Sequence, residues 1–173
     1  MTLLVLSDTH GRRDRVLEVI ALHPEAYAVL FLGDGIRDLP EELFALGRPM
    51  LAAVRGNCDM VWGSEPSLGE ELLLSFGSYR FLLMHGHRYG VKSGTGRAVA
   101  YAAARGADVL LYGHTHVAEE RYLPEGTDLG GKGSERPMWV FNPGSLGAPA
   151  EGHPSYGLIQ IQNGQLLFSH GSL

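Results

Sequence analysis

Five apolar, strand-like runs in this chain each stop within a few residues at a short polar cluster: Asp8-Thr9-His10, Gly33-Asp34, Gly56-Asn57, His85-Gly86-His87 and Gly113-His114-Thr115-His116. In an α/β sheet the carboxyl ends of the strands form the crevice where ligands bind, so tips far apart in sequence are expected to converge in space. Any one of these motifs is common by chance. Five in this order, each at a strand end, constrain both fold and chemistry.

The stretches between the tips set the architecture. Thr2–Leu6 is a continuous apolar run, expected to be buried on both faces. Arg12–His23 carries Val16, Leu17, Val19 and Ile20 at helical spacing and is stopped by Pro24. Ala26–Leu32 reads as a second buried strand. Ile36–Leu46 puts Ile36, Leu39, Leu43 and Leu46 on one face of a short helix closed by Gly47, and Met50–Val54 is a third strand. This alternation implies right-handed parallel crossovers and a sheet covered by helices.

The second half changes character. Glu71–Phe76 and Tyr79–Met84 flank Gly77-Ser78 as a β-hairpin, Gly94–Gly106 is an Ala-rich helix, and Asp108–Tyr112 is a further apolar strand. Ala118–Leu123, Met138–Phe141, Tyr156–Ile161 and Leu166–Ser169 read as antiparallel strands, and the Gly-rich Pro124–Pro137 as a mobile loop. With no repeat or linker in sight, the expected assembly is one domain over 1–173: two facing mixed sheets with helices outside.

Composition narrows the partners. The net charge of −5 argues against long nucleic acid, whose phosphates reward a basic surface. A single cysteine, Cys58, leaves no intrachain disulfide and no sign of an oxidising compartment. The N-terminal run is too short for a signal peptide, and nothing approaches the roughly 20 apolar residues that span a bilayer. A cytoplasmic location without membrane association is expected.

The tips carry carboxylate, amide and imidazole donors, which suit Mn²⁺, Fe²⁺ or Zn²⁺. A carboxylate can bridge two such ions about 3.5–4 Å apart, and Asp34, in the middle of the order, is the expected bridge. A hydroxide shared by the two ions becomes a nucleophile at neutral pH, and the ions offset charge on the phosphoryl oxygens.

Asp8-x-His10, Gly33-Asp34, Gly56-Asn57, His85 and Gly113-His114-x-His116 resemble, in order and spacing, the signature of the calcineurin-like metallophosphoesterases. The resemblance covers nearly the whole chain. Gly56-Asn57-Cys58-Asp59 and Asn142-Pro143-Gly144-Ser145 bring it nearest to the small bacterial and archaeal phosphodiesterase branch. It implies a four-layer αββα sandwich of the α/β (α+β) class. It implies one metal held by Asp8, His10, Asp34 and His116, and a second held by Asp34, Asn57, His85 and His114. Mn²⁺ leads among the metals, with Fe, Zn, Ni and Co as alternatives. The implied function is hydrolysis of a small or nucleotide-like phosphodiester, in a chain that assembles as a homo-oligomer, dimer or tetramer.

One position departs from many relatives. Where they carry a His after the metal-binding Asn, which contacts the phosphate, this chain has Cys58. A thiol is a poorer donor and general acid near pH 7 than imidazolium, so esters with poor leaving groups are disfavoured, or the acid lies elsewhere. Asp34, Asn57, His87 and Cys58 are the candidate catalytic residues. His87 is either a phosphate contact or structural, and Asp59 is expected to orient a neighbour. Asn142 or Ser145 could assist near the metals, and Gly11-Arg12 could offer N–H groups and a cation to a phosphate. His23, His153 and His170 read as surface or core residues. Cys58 is not expected to be a nucleophile.

Three rivals stand beside the diesterase. A phosphomonoesterase is disfavoured by the missing His after Asn57. A protein-binding scaffold, like the retromer subunit that shares this fold, is disfavoured by the full ligand set. A nuclease lacks the length and charge here for DNA-binding parts.

Overall fold

A computed structural model describes residues 1–45, 49–59 and 68–173. Among these residues, ten strands form two five-stranded mixed sheets. The first contains β1 (Thr2–Leu6), β2 (Ala28–Phe31), β3 (Met50–Ala53), β9 (Ser155–Gln162) and β10 (Gln165–Ser172), in the order β10-β9-β1-β2-β3. The second contains β4 (Glu71–Phe76), β5 (Tyr79–Met84), β6 (Val109–Tyr112), β7 (Ala118–Leu123) and β8 (Met138–Pro143), in the order β4-β5-β6-β8-β7. The α-helices α1 (Arg13–Leu22) and α2 (Gly96–Ala104) complete the layers.

The period of two along each strand sorts the side chains into three apolar layers. Leu3, Val5, Ala28, Leu30 and Ile159 of the first sheet meet Phe81, Leu83, Val109, Leu111 and Phe141 of the second in the central core. Their neighbours Leu4, Leu6, Val29 and Phe31 face outward and pack on Val16 and Val19 of α1. Leu82, Met84, Leu110 and Val140 face the other way, onto Ala98, Val99 and Ala102 of α2. Strands buried on both faces must be apolar throughout, which is why the runs alternate in destination but not in polarity. The result is the four-layer αββα sandwich.

Parallel pairing sets the strand ends level. Leu6 pairs with Phe31 and Phe31 with Ala53; Met84 pairs with Tyr112, and Leu111 with Phe141. The polar tips that follow therefore emerge at one end of the sandwich. The expected strands appear with shifts of up to three residues, the largest at the end of β10, and β8 also pairs in parallel with β6 besides its antiparallel partner β7. Pro124–Pro137 is laced by bonds from Gly126 N–H to Ser134 O (2.9 Å) and Ser134 N–H to Thr127 O (2.8 Å).

One element differs. The single helix expected over Ile36–Leu46 is instead two 3₁₀ turns, Ile36–Asp38 and Glu41–Phe44. Pro40 is the reason: it disfavours the helical region for Leu39, which is extended at ψ 136°. Leu39 and Leu43 are still buried; the expected end of the helix at Leu46 and Gly47 lies outside the described residues. Among those residues, no helix is long and apolar enough to cross a membrane.

Phe81 is fully buried, with its ring centroid 5.5 Å from that of Phe76. Phe81→Ala is expected to cost about 3–5 kcal/mol, seen as a lower urea midpoint with an unchanged slope.

Candidate metal centre

The tip after β1 begins with Ser7 and Asp8, both wholly buried. Asp8 Oδ2 accepts from Ser7 Oγ (2.5 Å) and from the His114 N–H (3.0 Å). Its other oxygen, Oδ1, has no hydrogen bond. That oxygen instead faces three imidazoles: His116 Nε2 at 3.1 Å, His10 Nε2 at 3.8 Å and His85 Nε2 at 3.9 Å. A half-partnered carboxylate in a dry site is costly unless something positive completes it.

The imidazoles are turned toward that point by backbone carbonyls. His116 Nδ1 donates to Ala148 O (2.6 Å) and His85 Nδ1 to Leu32 O (2.8 Å), because a carbonyl can only accept. In the neutral ring each Nε2 therefore carries the lone pair and turns it to the site, the usual arrangement of a metal-binding histidine. His10 Nε2 lies 3.3 Å from His116 Nε2, and His114 Nδ1 lies 3.2 Å from His85 Nε2. Nitrogens so opposed repel unless a proton or a cation sits among them.

Asp34, after β2, is almost fully buried; its Oδ1 accepts the Cys58 N–H (2.7 Å) and its Oδ2 lies 3.3 Å from His85 Nε2. Burial opposes ionisation, but the His85 imidazole 3.3 Å away and the Cys58 N–H hold this carboxyl below the usual carboxylate range. Burial alone would lower His85, yet Asp34 and Asp8 together raise it; the Asp8 contact likewise raises His116. Burial and the neighbouring His85 push His114 down to about 4, so it is neutral and ready to ligate near pH 7. Partial burial and the adjoining Asp34 carboxylate push the Cys58 thiol up to about 11.

Backbone strain concentrates here. Among the described residues, six non-glycine residues have positive φ, and five are Asp8, His10, Asp34, His114 and His116; the sixth is Asn163. Each such conformation costs roughly 1–3 kcal/mol and persists only where its surroundings over-determine it. Glycines let the tips close up. A Cβ on Gly56 would collide with Asp34 Oδ1, and one on Gly113 with Ser7 Oγ.

Asp59 does the most to hold the tips. Its carboxylate accepts from the N–H groups of Asp34 (2.7 Å), Gly35 (2.8 Å), Ile36 (2.9 Å) and Gly56 (2.8 Å), which ties the β2 tip to the β3 tip. Asp38, with no role expected from sequence, accepts from Thr9 Oγ1 (2.5 Å) and Gly11 N–H (2.8 Å) and so fixes the β1 tip. Asn142 and Ser145 are buried and bind backbone: Asn142 Nδ2 donates to Gly113 O (3.2 Å), and Ser145 Oγ donates to Asp8 O (2.7 Å). The Gly11 N–H is thus taken by Asp38, and Arg12 pairs with Asp14 (2.7 Å). His23 meets Tyr156 OH (3.0 Å) and His170 meets Asn142 O (2.8 Å), both in packing roles.

Among the described residues, two of the donor groups whose ligand atoms lie within 4.8 Å of one another are Asp8, His10 and His116, and Asp34, His85 and His114. Oxygen and nitrogen donors around an orphaned buried carboxylate oxygen fit divalent cations. His87 lies beside the second group, its ring 5.4 Å from that of His85, with Nδ1 buried and unpartnered. Asn57 is exposed at the β3 tip; its amide donates to Cys58 Sγ (3.2 Å).

Residues 1–164 match the model of the calcineurin-like phosphoesterase superfamily domain. The probable metallophosphoesterase YsnB of Bacillus subtilis is 32% identical over 94% of this chain and 86% of its own length. The phosphodiesterase YfcE of Escherichia coli K12 is 31% identical over 92% of this chain and 87% of its own. A crystal structure from Streptococcus pneumoniae, described as that of a predicted phosphoesterase, is 25% identical with a TM-score of 0.73 and covers 99% of this chain and 88% of its own.

Asp59→Ala removes the shared acceptor of four N–H groups. It is expected to weaken divalent-metal binding about 10–100-fold in calorimetric titration.

Proposed function

This chain belongs to the calcineurin-like phosphoesterase superfamily, and on that footing we propose that it is a divalent-metal-dependent phosphodiesterase acting on a small or nucleotide-like diester at a binuclear site. The observation that carries the reading is Asp8 Oδ1: buried, without a hydrogen bond, and ringed by His10, His85 and His116. Asp8, His10, Asp34 and His116 would hold one cation; Asp34, Asn57, His85 and His114 would hold the other. When bound, the two cations supply Lewis-acid chemistry, acidifying water at neutral pH and offsetting charge on the phosphoryl oxygens. Mn²⁺ is the first metal to try, with Fe, Zn, Ni and Co behind it.

The chain's own groups do the rest. Asp34 is suited to the bridging role because its carboxylate lies with His85 and His114 on one side and with His10 on the other. His85 and His116 keep their Nε2 lone pairs inward through bonds to Leu32 O and Ala148 O. Burial and the neighbouring His85 lower the His87 pKa, so His87 is neutral near pH 7 and can direct a ring N–H at a phosphoryl oxygen. Cys58 stays a thiol at that pH, a weak donor toward the leaving oxygen. That favours a diester with a good leaving group over a monoester. YfcE, named a phosphodiesterase, supports the same choice. The net charge of −5 favours a small substrate over long nucleic acid, and the converging donor set favours an enzyme over a scaffold. The single domain over 1–173, the cytoplasmic location and a homo-oligomer are parts of the same proposal.

Chelator-stripped protein is expected to hydrolyse bis(p-nitrophenyl) phosphate once Mn²⁺ is restored, and faster than the matching monoester. Bound metal without turnover, across Mn²⁺, Co²⁺, Ni²⁺ and Zn²⁺, would overturn the reading. Asp34→Asn is expected to abolish turnover and release at least one metal; unchanged metal content would sink the bridging role. His87→Gln is expected to raise KM with metal content intact, and an unchanged KM would return His87 to a structural role.

A further inference from the structure

The sequence supplies one thiol, Cys58, and the proposed reaction gives it only a weak donor role. Its surroundings suggest more. Cys58 Sγ, a His10 ring nitrogen and an Asp34 oxygen lie within 4.8 Å of one another, the same spread as the two donor groups described above. The residue is pinned there: its N–H binds Asp34 Oδ1 at 2.7 Å, so the backbone that carries the sulfur is tied to the expected bridging carboxylate. The Asn57 amide donates to Sγ at 3.2 Å and directs the side chain along the tip. An independent sign that a cation belongs beside His10 is Asp8 Oδ1, which is wholly buried, has no hydrogen bond and lies 3.8 Å from His10 Nε2.

Resting on the binuclear reading, we propose that Cys58 Sγ is an additional ligand of the cation shared by Asp8, His10, Asp34 and His116. The S–H bond breaks as a sulfur–cation bond forms, and the proton leaves to solvent; nothing is oxidised or reduced. A cation can take a thiol to thiolate outright, so a thiol does not bar coordination. Sulfur is a soft ligand, and its presence biases that position toward Zn²⁺ and Co²⁺ and away from Mn²⁺. Bound in this way Cys58 has no S–H left to offer the leaving oxygen, and the Cys in place of the relatives' His becomes a selector of metal in the donor set of this chain instead of a weak donor.

The test is optical. Chelator-stripped protein is titrated with Co²⁺ while calorimetry counts the ions bound and absorption reads the sulfur-to-cobalt charge-transfer band in the near ultraviolet. Because Cys58 is the only cysteine in the sequence, a band can come from no other residue. The expected result is a band in the native protein that is lost in Cys58→Ser, which still binds Co²⁺. The same variant should bind Zn²⁺ about tenfold or more weakly, with little change for Mn²⁺. Two bound Co²⁺ ions without a band would overturn the assignment of Cys58 and leave the binuclear site standing. Failure to bind Co²⁺ at all would overturn both.

Discussion

The rest of this structure is arranged around the burial of Asp8. Taking a carboxylate out of water costs several kcal/mol unless its lone pairs are met. Here Ser7 Oγ and the His114 N–H meet one oxygen, and the other is left facing three imidazoles. Both sheets must meet at this end to make that possible: Asp8 follows a strand of the first sheet, His114 a strand of the second. The facing sheets, packed through Val5, Leu30, Leu83 and Leu111, hold the two tips at hydrogen-bonding distance. The core is therefore what sets the geometry of the site.

Around that centre lies a ring of acceptors whose role is to restrain backbone. Asp59 ties four N–H groups of two tips, Asp38 ties the first tip, and Ser145 holds the Asp8 carbonyl. This explains how five donor residues can persist in the left-handed region. Each is strained locally, and each is held by bonds that converge from other parts of the chain. Strain of this kind is stored where donor atoms must point at one place rather than where the chain would relax.

Much of the fold was legible because strands buried on both faces are written as unbroken apolar runs with polar ends. The hairpin strands Glu71–Phe76 and Tyr79–Met84 and the strand Ala118–Leu123 run as read. The spacing of Ile36, Leu39 and Leu43 predicts a helix over Ile36–Leu46 that Pro40, lying between them, breaks into two 3₁₀ turns. At the site, the donor types announced themselves by lying at strand ends. The supports did not: Asp38 lies inside the stretch whose spacing predicts a helix, and Ser145 reaches Asp8 across 137 residues. No local pattern encodes a bond of that span.

From the sequence alone came the residue types and their order: carboxylates, amide and imidazoles at the ends of apolar runs, with glycine where two tips must approach. These are local properties, carried by the side chain and its neighbours. Which nitrogen of His85 and His116 faces inward, which oxygen of Asp8 stays unpartnered, and that Cys58 sulfur lies beside His10 and Asp34 were decided by tertiary structure. Such choices depend on carbonyls and N–H groups from distant strands, whose positions are set only when the two sheets close on their shared core.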